Sequence, residues 1–360
     1  MSYFHLNLIL KGKLTVCCLL MLSVIPLNAQ REAKQIGDFK ESISLNEHLR
    51  GTKRTLQYRP DGDEFVCVNG KNRYTRALYG SHSPFRVETS DRPVFAFYNN
   101  GRGGNISFKV ILRDGTELAL DRTGYCESRY SAGKRTYYLT DPSWGKGELR
   151  ISVLALADMD GAIWRFSPSN MPKGAILRRQ HGGATGKRLS RNGDMGVDPV
   201  DCFELPAEAT DLVTGELALQ KEVYLVRGEV PEGYNVRKLY QQAEAASLAL
   251  ASHLKIETPD PYLNTLGGAL VAAADGIWDG QVWLHGAIGW RMPLSGWRAG
   301  YTGDALGWHD RARTHFDAYA ASQVTDVPNT IPHPAQDSTM NLARSEKRWG
   351  TPQYSNGYIC

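Results

Sequence analysis

The segment from Trp283 to Arg311 concentrates aromatic, basic and acidic side chains between glycines, a composition suited to holding a polar ligand. Indole faces stack on the apolar C–H faces of sugar rings, while arginine and carboxylate groups bind ring hydroxyls and substituents. We therefore predict that this segment contacts a glycan. The alternatives are tryptophans that fill the core and arginines that pin loop carbonyls. The predicted substrate-binding residues are Trp283, His285, Trp290, Arg291, Trp297, Arg298, Tyr301 and Trp308.

Two acidic residues in the same segment, Asp304 and Asp310, are the candidate catalytic groups. In hydrolysis of a glycosidic bond, one carboxylic acid protonates the leaving oxygen and a second carboxylate activates water. Each residue also has a simpler interpretation. Asp304 precedes a predicted helix and would cap it, and Asp310 would be an exposed helical acid.

We predict neither a metal site nor a cofactor. His309 and His315 are six residues apart, which places them on different faces of a helix and disfavours a shared metal ion. The sequence GGATGKRLS at 182–190 lacks the spacing of a phosphate-binding loop and has Arg188 where serine or threonine is required, so it predicts a hairpin loop. The sequence DMDG at 158–161 predicts a turn between two strands.

The elements that must position these residues begin with a helical stripe of apolar residues that starts at Val236. A second helix is predicted after Asp260, which is placed to cap it, with Pro261 at its first position. Gly267 and Gly268 within that helix predict close contact with a neighbouring element.

A third helix is predicted from about Asp304 to Gln323, where apolar and aromatic residues line one side. The connection from Gly280 to Gly303 is longer than most links between packed helices, and loops of that kind are usually functional or disordered. Its aromatic content argues against disorder. The candidate glycan-binding residues would therefore lie largely on a loop.

Between about residues 45 and 228, apolar residues alternate in short runs separated by turn signals, which predicts one large antiparallel β-sandwich. The segment EFVCV followed by Asn69-Gly70 predicts a β-hairpin. Further strands are predicted at 94–98, 105–112, 117–121, 135–140, 149–156, 162–167 and 222–226.

The first 29 residues have the pattern of a cleaved secretory signal peptide, with Lys11 and Lys13, an apolar run from Leu14 to Ile25, and a small-residue end at Ala29. We therefore predict a secreted or periplasmic protein. The apolar run is too short to span a bilayer, so no membrane span is predicted. The net charge is +4, which gives no indication of nucleic-acid binding.

Export leaves Cys67, Cys126, Cys202 and Cys360 in a compartment where disulfides can persist. They allow three pairings, and the sequence favours none of them. The alternative is a set of buried, unpaired thiols.

These patterns predict a β-domain followed by an α-domain, because the apolar periodicity changes from two to 3.6 near residue 232. The predicted divisions are a signal peptide at 1–29, an N-terminal segment at 30–44, a β-sandwich at 45–231, a linker helix at 232–258 and a helical domain at 259–360.

The succession of signal peptide, β-sandwich, linking helix and the segment PDPYLNTLGGALVAAADGIWDGQVWLHGAIGWRMPLSGWRAGYTGDALGWHDR resembles the opening of bacterial six-hairpin glycosidases. The resemblance covers roughly residues 45–325 and implies an (α/α)6 toroid, of which this chain would contain only the first hairpins. It implies a glycoside hydrolase acting on a polysaccharide or oligosaccharide. No catalytic residue of a named family can be matched, and the general acid could lie beyond Cys360.

Two alternatives remain open at this stage. A polysaccharide lyase would use a histidine or tyrosine base and an arginine that neutralises a uronate, which gives roles to His285, Tyr301 and Arg298. A non-catalytic fragment would bind glycan through the tryptophan-rich segment alone.

Overall fold

The computed structural model describes residues 57–83, 85–99, 102–188, 213–228, 230–284 and 293–321. The predicted signal peptide at 1–29 and the segment 30–44 lie outside the described residues, as do Cys202 and Cys360. The described residues belong to the compact unit that begins at Gln57.

The described residues form two antiparallel sheets of seven strands each. Sheet 1 has the order β1-β2-β8-β9-β10-β11-β14, with β1 at Arg59–Asp61, β2 at Glu64–Val68, β8 at Tyr125–Ser131, β9 at Lys134–Thr140, β10 at Glu148–Ala155, β11 at Gly161–Ser169 and β14 at Val223–Gly228. Sheet 2 has the order β13-β12-β6-β5-β4-β3, with β3 at Arg76–Leu78, β4 at Arg86–Thr89, β5 at Phe95–Asn99, β6 at Arg102–Ile111, β12 at Ile176–Arg188 and β13 at Val213–Ala218, and β7 at Glu117–Ala119 pairs with β6. Two short 3-10 helices lie at Leu120–Arg122 and Pro142–Trp144.

One apolar core joins the two sheets. Phe95 of sheet 2 makes edge-to-face contacts with Tyr137 and Trp164 of sheet 1, at centroid distances of 5.7 and 5.6 Å. Phe108 and Phe166 meet across the same interface at 4.9 Å. Such aromatic pairs contribute about 0.5–1.5 kcal/mol beyond their buried area. The sheets therefore pack face to face, as expected for a β-sandwich.

The seven strand segments predicted by alternation coincide with β5, β6, β7, β9, β10, β11 and β14, which confirms them. The predicted turn at 158–161 is also confirmed, because β10 ends at Ala155 and β11 begins at Gly161.

Two local predictions in the β-region were wrong. Asn69-Gly70 does not close a hairpin, because β2 pairs with β1 and β8 while the following strand β3 belongs to sheet 2. Asn69 has a φ of 50°, in the left-handed region that asparagine tolerates. The turn at Asn69-Gly70 leads the chain from sheet 1 to sheet 2. The predicted hairpin loop at 182–190 is also incorrect, since residues up to Arg188 continue strand β12 along β6.

Helix α1, Val236–Ala251, packs on the face of sheet 1 that is turned away from sheet 2. Leu239 and Ala243 pack there against Leu154 and Ile163. The side chain of Asn235 caps this helix by accepting a hydrogen bond from the backbone N–H of Lys238. The start predicted from the sequence is confirmed.

Helix α2, Pro261–Gly276, begins as predicted. The carboxylate of Asp260 accepts a hydrogen bond of 2.8 Å from the Tyr262 N–H, and Pro261 occupies the first turn, where its missing donor costs nothing. The predicted close contact is present, because a Cβ at Gly267 would lie 2.7 Å from the carbonyl oxygen of Leu254.

The prediction for the last helical region was wrong in its boundaries. Helix α3, Pro293–Ala305, lies inside the predicted loop, and helix α4, His309–Ala321, begins five residues after the predicted start at Asp304. Asp304 lies in the last turn of α3 and therefore does not cap a helix start. Gly307, with a φ of 82°, makes the break between the two helices. No helix among the described residues is long and apolar enough to cross a bilayer.

Candidate functional site

Trp283 and Trp308 of the predicted glycan-binding segment form an apolar cluster with Trp278, which precedes the segment. Trp278 and Trp283 contact each other at a centroid distance of 4.6 Å across a single β-bridge. Trp283 and Trp308 stack with an interplanar angle of 19° at 6.4 Å. Ala312 completes the buried part of this cluster.

Trp283 is the centre of this cluster and is only 1 % exposed. Its Nε1 donates to the carbonyl oxygen of Ala274 at 2.9 Å, and its backbone N–H donates to Nδ1 of His315 at 3.0 Å. Its ring also lies against Gly303. A fully buried indole has no free face, so the surroundings of Trp283 give no support to its role as a sugar-stacking platform, which stays a prediction.

Arg311 connects this cluster to the sheets. Its guanidinium lies over the rings of Trp308 and Trp278, at 4.8 and 5.8 Å, in cation–π geometry. It also donates from Nη1 to Oδ1 of Asp275 at 2.7 Å. The same carboxylate oxygen lies 3.2 Å from Nε2 of His82, which belongs to the loop after β3.

His82, Asp275 and Arg311 border a cavity of about 250 Å³ between sheet edge and helices, which we call the seam cavity. Its walls are mostly small residues, because strand, turn and helix backbones approach closely here. The small residues that line it include Ala77, Gly80, Ala132, Gly133, Ala243, Ala246 and Ala272. Tyr79, Tyr130 and Ser247 add hydroxyl groups.

Asp275 is ionised in this setting. Burial acts to raise the pKa of its carboxyl, but hydrogen bonds and charge from His82 and Arg311 hold the pKa below its ordinary value. The carboxylate is therefore an acceptor for hydroxyl groups and could act as a base. Burial raises the pKa of Tyr79, so its phenol remains protonated and can donate.

The loop that carries His82 is fixed from the sheet side. The hydroxyls of Ser81 and Ser83 both donate to Oδ1 of Asp160, in the turn between β10 and β11, the former at 2.6 Å. Helix α1 is also held beside the cavity, because the hydroxyl of Ser247 donates to the carbonyl oxygen of Ala132 at 2.6 Å.

The predicted catalytic carboxylates lie on the surface. Asp304 is 56 % exposed and its Oδ1 contacts Nδ1 of His309 at 2.6 Å. Asp310 is 97 % exposed and lies 3.7 Å from Nη1 of Arg313. Their catalytic role stays a prediction, and their surroundings give it no support.

The other predicted binding residues are only partly described. Arg298 and Tyr301 are exposed residues of α3, and the ring of Tyr301 lies 5.7 Å from that of Phe316. Trp297 belongs to α3. The remaining predicted contacts, His285, Trp290 and Arg291, lie outside the described residues.

Sequence reasoning missed His82 and Asp275. His82 is separated from Asp275 by 193 residues, so no local spacing connects them. Asp275 did carry a signal, because it is the only charged residue in helix α2.

Among the described residues, no group of three or more histidine, cysteine, aspartate or glutamate side chains could hold a metal ion. Cys67 and Cys126 are buried free thiols, which agrees with the alternative of unpaired thiols for these two residues. Burial is the main factor that raises the pKa of Cys126, to about 12, so this thiol is unreactive.

Residues 100–230 match a family described as a domain of unknown function, DUF4450. The match spans β6 to β14 and ends before the helices and Asp275. No curated protein matches the chain.

Proposed function

We propose that this chain is a secreted or periplasmic carbohydrate-active protein of the glycoside hydrolase type, and that the seam cavity is one of its glycan-contact sites. The observation that carries the proposal is the convergence at this cavity of an ionised carboxylate, an imidazole and a guanidinium. Such groups recognise the hydroxyls of a sugar ring.

The order of elements supports the same proposal. Two packed antiparallel sheets are followed by a helix on sheet 1 and then by α2, α3 and α4, each packed on the next. This is the order implied by the resemblance to six-hairpin glycosidases. The toroid itself is part of the proposal, in which α1 to α4 are its opening region.

The volume of the cavity limits the size of the ligand. Small-molecule sites usually measure about 300–1,000 Å³, and the seam cavity of about 250 Å³ falls just below that range. It therefore suits about one sugar ring at the end of a chain. The apolar walls face the ring carbons, while Asp275, His82 and Arg311 meet its edge.

Asp275 is the best-placed carboxylate for hydrolysis. An inverting mechanism pairs an ionised base with a protonated acid about 6.5–9.5 Å away. The lowered pKa of Asp275 favours the ionised carboxylate, which supports the role of base and not that of acid in this proposal. The exposed Asp304 and Asp310 have no structural feature that selects either as its partner.

A second candidate function is glycan binding without catalysis. The observation that favours it is the surface position of both predicted catalytic carboxylates. In that case the seam cavity would hold a sugar without cleaving the chain.

The test uses the full chain and a panel of neutral and acidic oligosaccharides, with binding followed by calorimetry and cleavage by release of reducing ends. Ala246 and Ala249 are both exposed on α1, but only Ala246 lines the cavity. Ala246→Phe should weaken binding roughly tenfold or more, whereas Ala249→Phe should leave it unchanged. Equal binding by both variants would refute the cavity as the site.

Asp275→Asn separates the two candidate functions. For a hydrolase, this change should reduce turnover by about 10²–10⁴-fold with a much smaller effect on binding. Binding without release of reducing ends by the wild-type chain would support the non-catalytic candidate. An unsaturated product with ultraviolet absorbance would indicate a lyase and contradict hydrolysis. Thermal melts of each variant show whether its fold is retained.

A further inference from the structure

A second cavity, distinct from the seam cavity, lies at the end of the sheets. It has a volume of about 670 Å³ and is lined by residues of three segments, Gly70–Arg73 after β2, Ser90–Val94 after β4, and Asp121–Thr123 at the end of the first 3-10 helix. No residue lines both cavities. We call it the basic cleft.

The lining of the basic cleft carries a surplus of positive charge. Lys71, Arg73, Arg92 and Arg122 are cationic, and Asp121 is the only acidic residue among the described residues that line the cleft, which leaves a formal charge of +3 from four cations and one anion. Asp121 lies 3.6 Å from Nε of Arg122. The surplus is large for a chain whose total net charge is +4.

Arg92 is held rigidly at the cleft. Its Nη1 donates to the carbonyl oxygens of Asp121 and Thr123 at 3.2 and 2.8 Å, and its Nη2 donates to Oδ1 of Asn69 at 3.1 Å. Asn69 is fixed in turn, because the same oxygen accepts the backbone N–H of Cys126 at 3.0 Å. These contacts orient the guanidinium before any ligand arrives, which reduces the entropy lost on binding.

The nearest buried carboxylate does not neutralise the cleft. Asp91 is fully buried below the segment 70–73, and its oxygens accept hydrogen bonds from the backbone N–H of Asn72 at 2.9 Å and from the hydroxyl of Tyr58. The buried guanidinium of Arg135 lies 3.6 Å away and balances its charge. A Cβ at Gly70 would lie 2.4 Å from Asp91, so this glycine lets the basic segment lie directly on the carboxylate.

We propose that the basic cleft binds the carboxylate or sulfate groups of an acidic oligosaccharide. Arginine recognises oxyanions through several directed hydrogen bonds, and clustered cations attract them over a longer range. The volume exceeds that of one small anion and lies within the range of small-molecule sites, about 300–1,000 Å³. The described residues that line the cleft include no aromatic side chain, so these residues would bind a ligand through charge and hydrogen bonds instead of stacking.

The test measures binding of an oligogalacturonate to the full chain by calorimetry, at low salt and at physiological salt. Lys71→Glu with Arg73→Glu should weaken binding roughly tenfold or more, and added salt should weaken the wild-type complex. The matched control is Lys146→Glu with Lys173→Glu, which makes the same charge change at exposed lysines that do not line the cleft.

Each outcome is decisive. Loss of binding in the cleft variant alone supports the proposal, and equal loss in both variants shows non-specific charge attraction and overturns it. If inorganic sulfate at matched ionic strength competes as effectively as the oligosaccharide itself, the cleft is a site for a free anion. That result would contradict an acidic oligosaccharide as the ligand. Equal affinity for a short duplex DNA, or no binding to the oligosaccharide, also overturns the proposal.

The choice of a glycan as the ligand of the basic cleft rests on the proposed function, but the experiment separates the two cavities. Ala246 lines the seam cavity and does not line the basic cleft, so oligogalacturonate binding that survives Ala246→Phe and fails in the cleft variant is assigned to the basic cleft alone. Failure at one cavity therefore leaves the other proposal standing.

Discussion

Gly303→Ala gives the sharpest test of the core role of Trp283. In an exposed helix, replacement of glycine by alanine stabilises by about 0.5–1 kcal/mol. Here the new Cβ would lie 2.1 and 2.3 Å from Cη2 and Cζ2 of the Trp283 ring, so the ring or helix α3 must shift. Overpacking of that kind costs about 1–3 kcal/mol, and we expect the free energy of unfolding to fall by about 1–2 kcal/mol.

A double-mutant cycle with Trp283→Leu isolates the contact. Leucine does not reach Gly303, so in that background the alanine should be neutral or stabilising, with a coupling energy of about 1–3 kcal/mol. Urea denaturation followed by far-ultraviolet circular dichroism measures all four proteins without relying on the altered tryptophan. A stabilising Gly303→Ala in the wild-type background, or an identical effect in both backgrounds, would refute the packing of Trp283 on α3. The indole would then be available to a ligand again.

Two further predictions concern the sheets. Burial, with the charge of Arg227, lowers the pKa of His181 from 6.5 to about 4. As the pH falls, this histidine therefore becomes protonated in the unfolded chain before it does so in the folded chain. The free energy of unfolding should decline as the pH falls from 6.5 toward 4. Urea denaturation across this pH range should show the decline in the wild type and a flatter dependence of the free energy of unfolding on pH in His181→Phe. The same pH dependence in both proteins would count against the role of His181. Asn69→Ala should lower the free energy of unfolding by about 1–3 kcal/mol, because Arg92 and the Cys126 N–H lose their acceptor. Asn69→Gly should destabilise the fold less than Asn69→Ala, because glycine tolerates the positive φ at this position. Equal losses of stability in the two variants would argue against a contribution from the backbone conformation.

The parts of the fold that could be predicted are those in which local chemistry and burial agree. Asp260 and Pro261 marked the start of α2 because both act within one helical turn. Strand β8 was missed because its buried positions include Ser128 and Cys126, so its alternation is not one of strongly apolar residues. Helix α3 was missed because its glycines favour a loop locally, whereas in the fold Gly303 and Gly300 admit the rings of Trp283 and Phe316.

The candidate site was less predictable than the strands. The tryptophan-rich segment was correctly singled out as unusual, but the sequence could not distinguish a ligand-facing indole from a buried one. The seam cavity depends on His82, Asp275 and Arg311, which come from a loop and two helices far apart in the chain. Only tertiary packing brings these three residues together, so periodicity and local spacing could not predict that they lie side by side.

At the proposed site, the contact between His82 and Asp275 would couple ligand binding to the docking of helix α2. His82 is fixed to the sheets through Ser81 and Ser83, whereas Asp275 belongs to α2. A ligand that contacts both His82 and Asp275 stabilises the docked helix. By thermodynamic linkage, the factor by which the ligand favours docking of the helix is the factor by which docking strengthens ligand binding. Protection of the α2 amides from hydrogen exchange therefore reports occupancy of the seam cavity, even for a ligand that is never turned over.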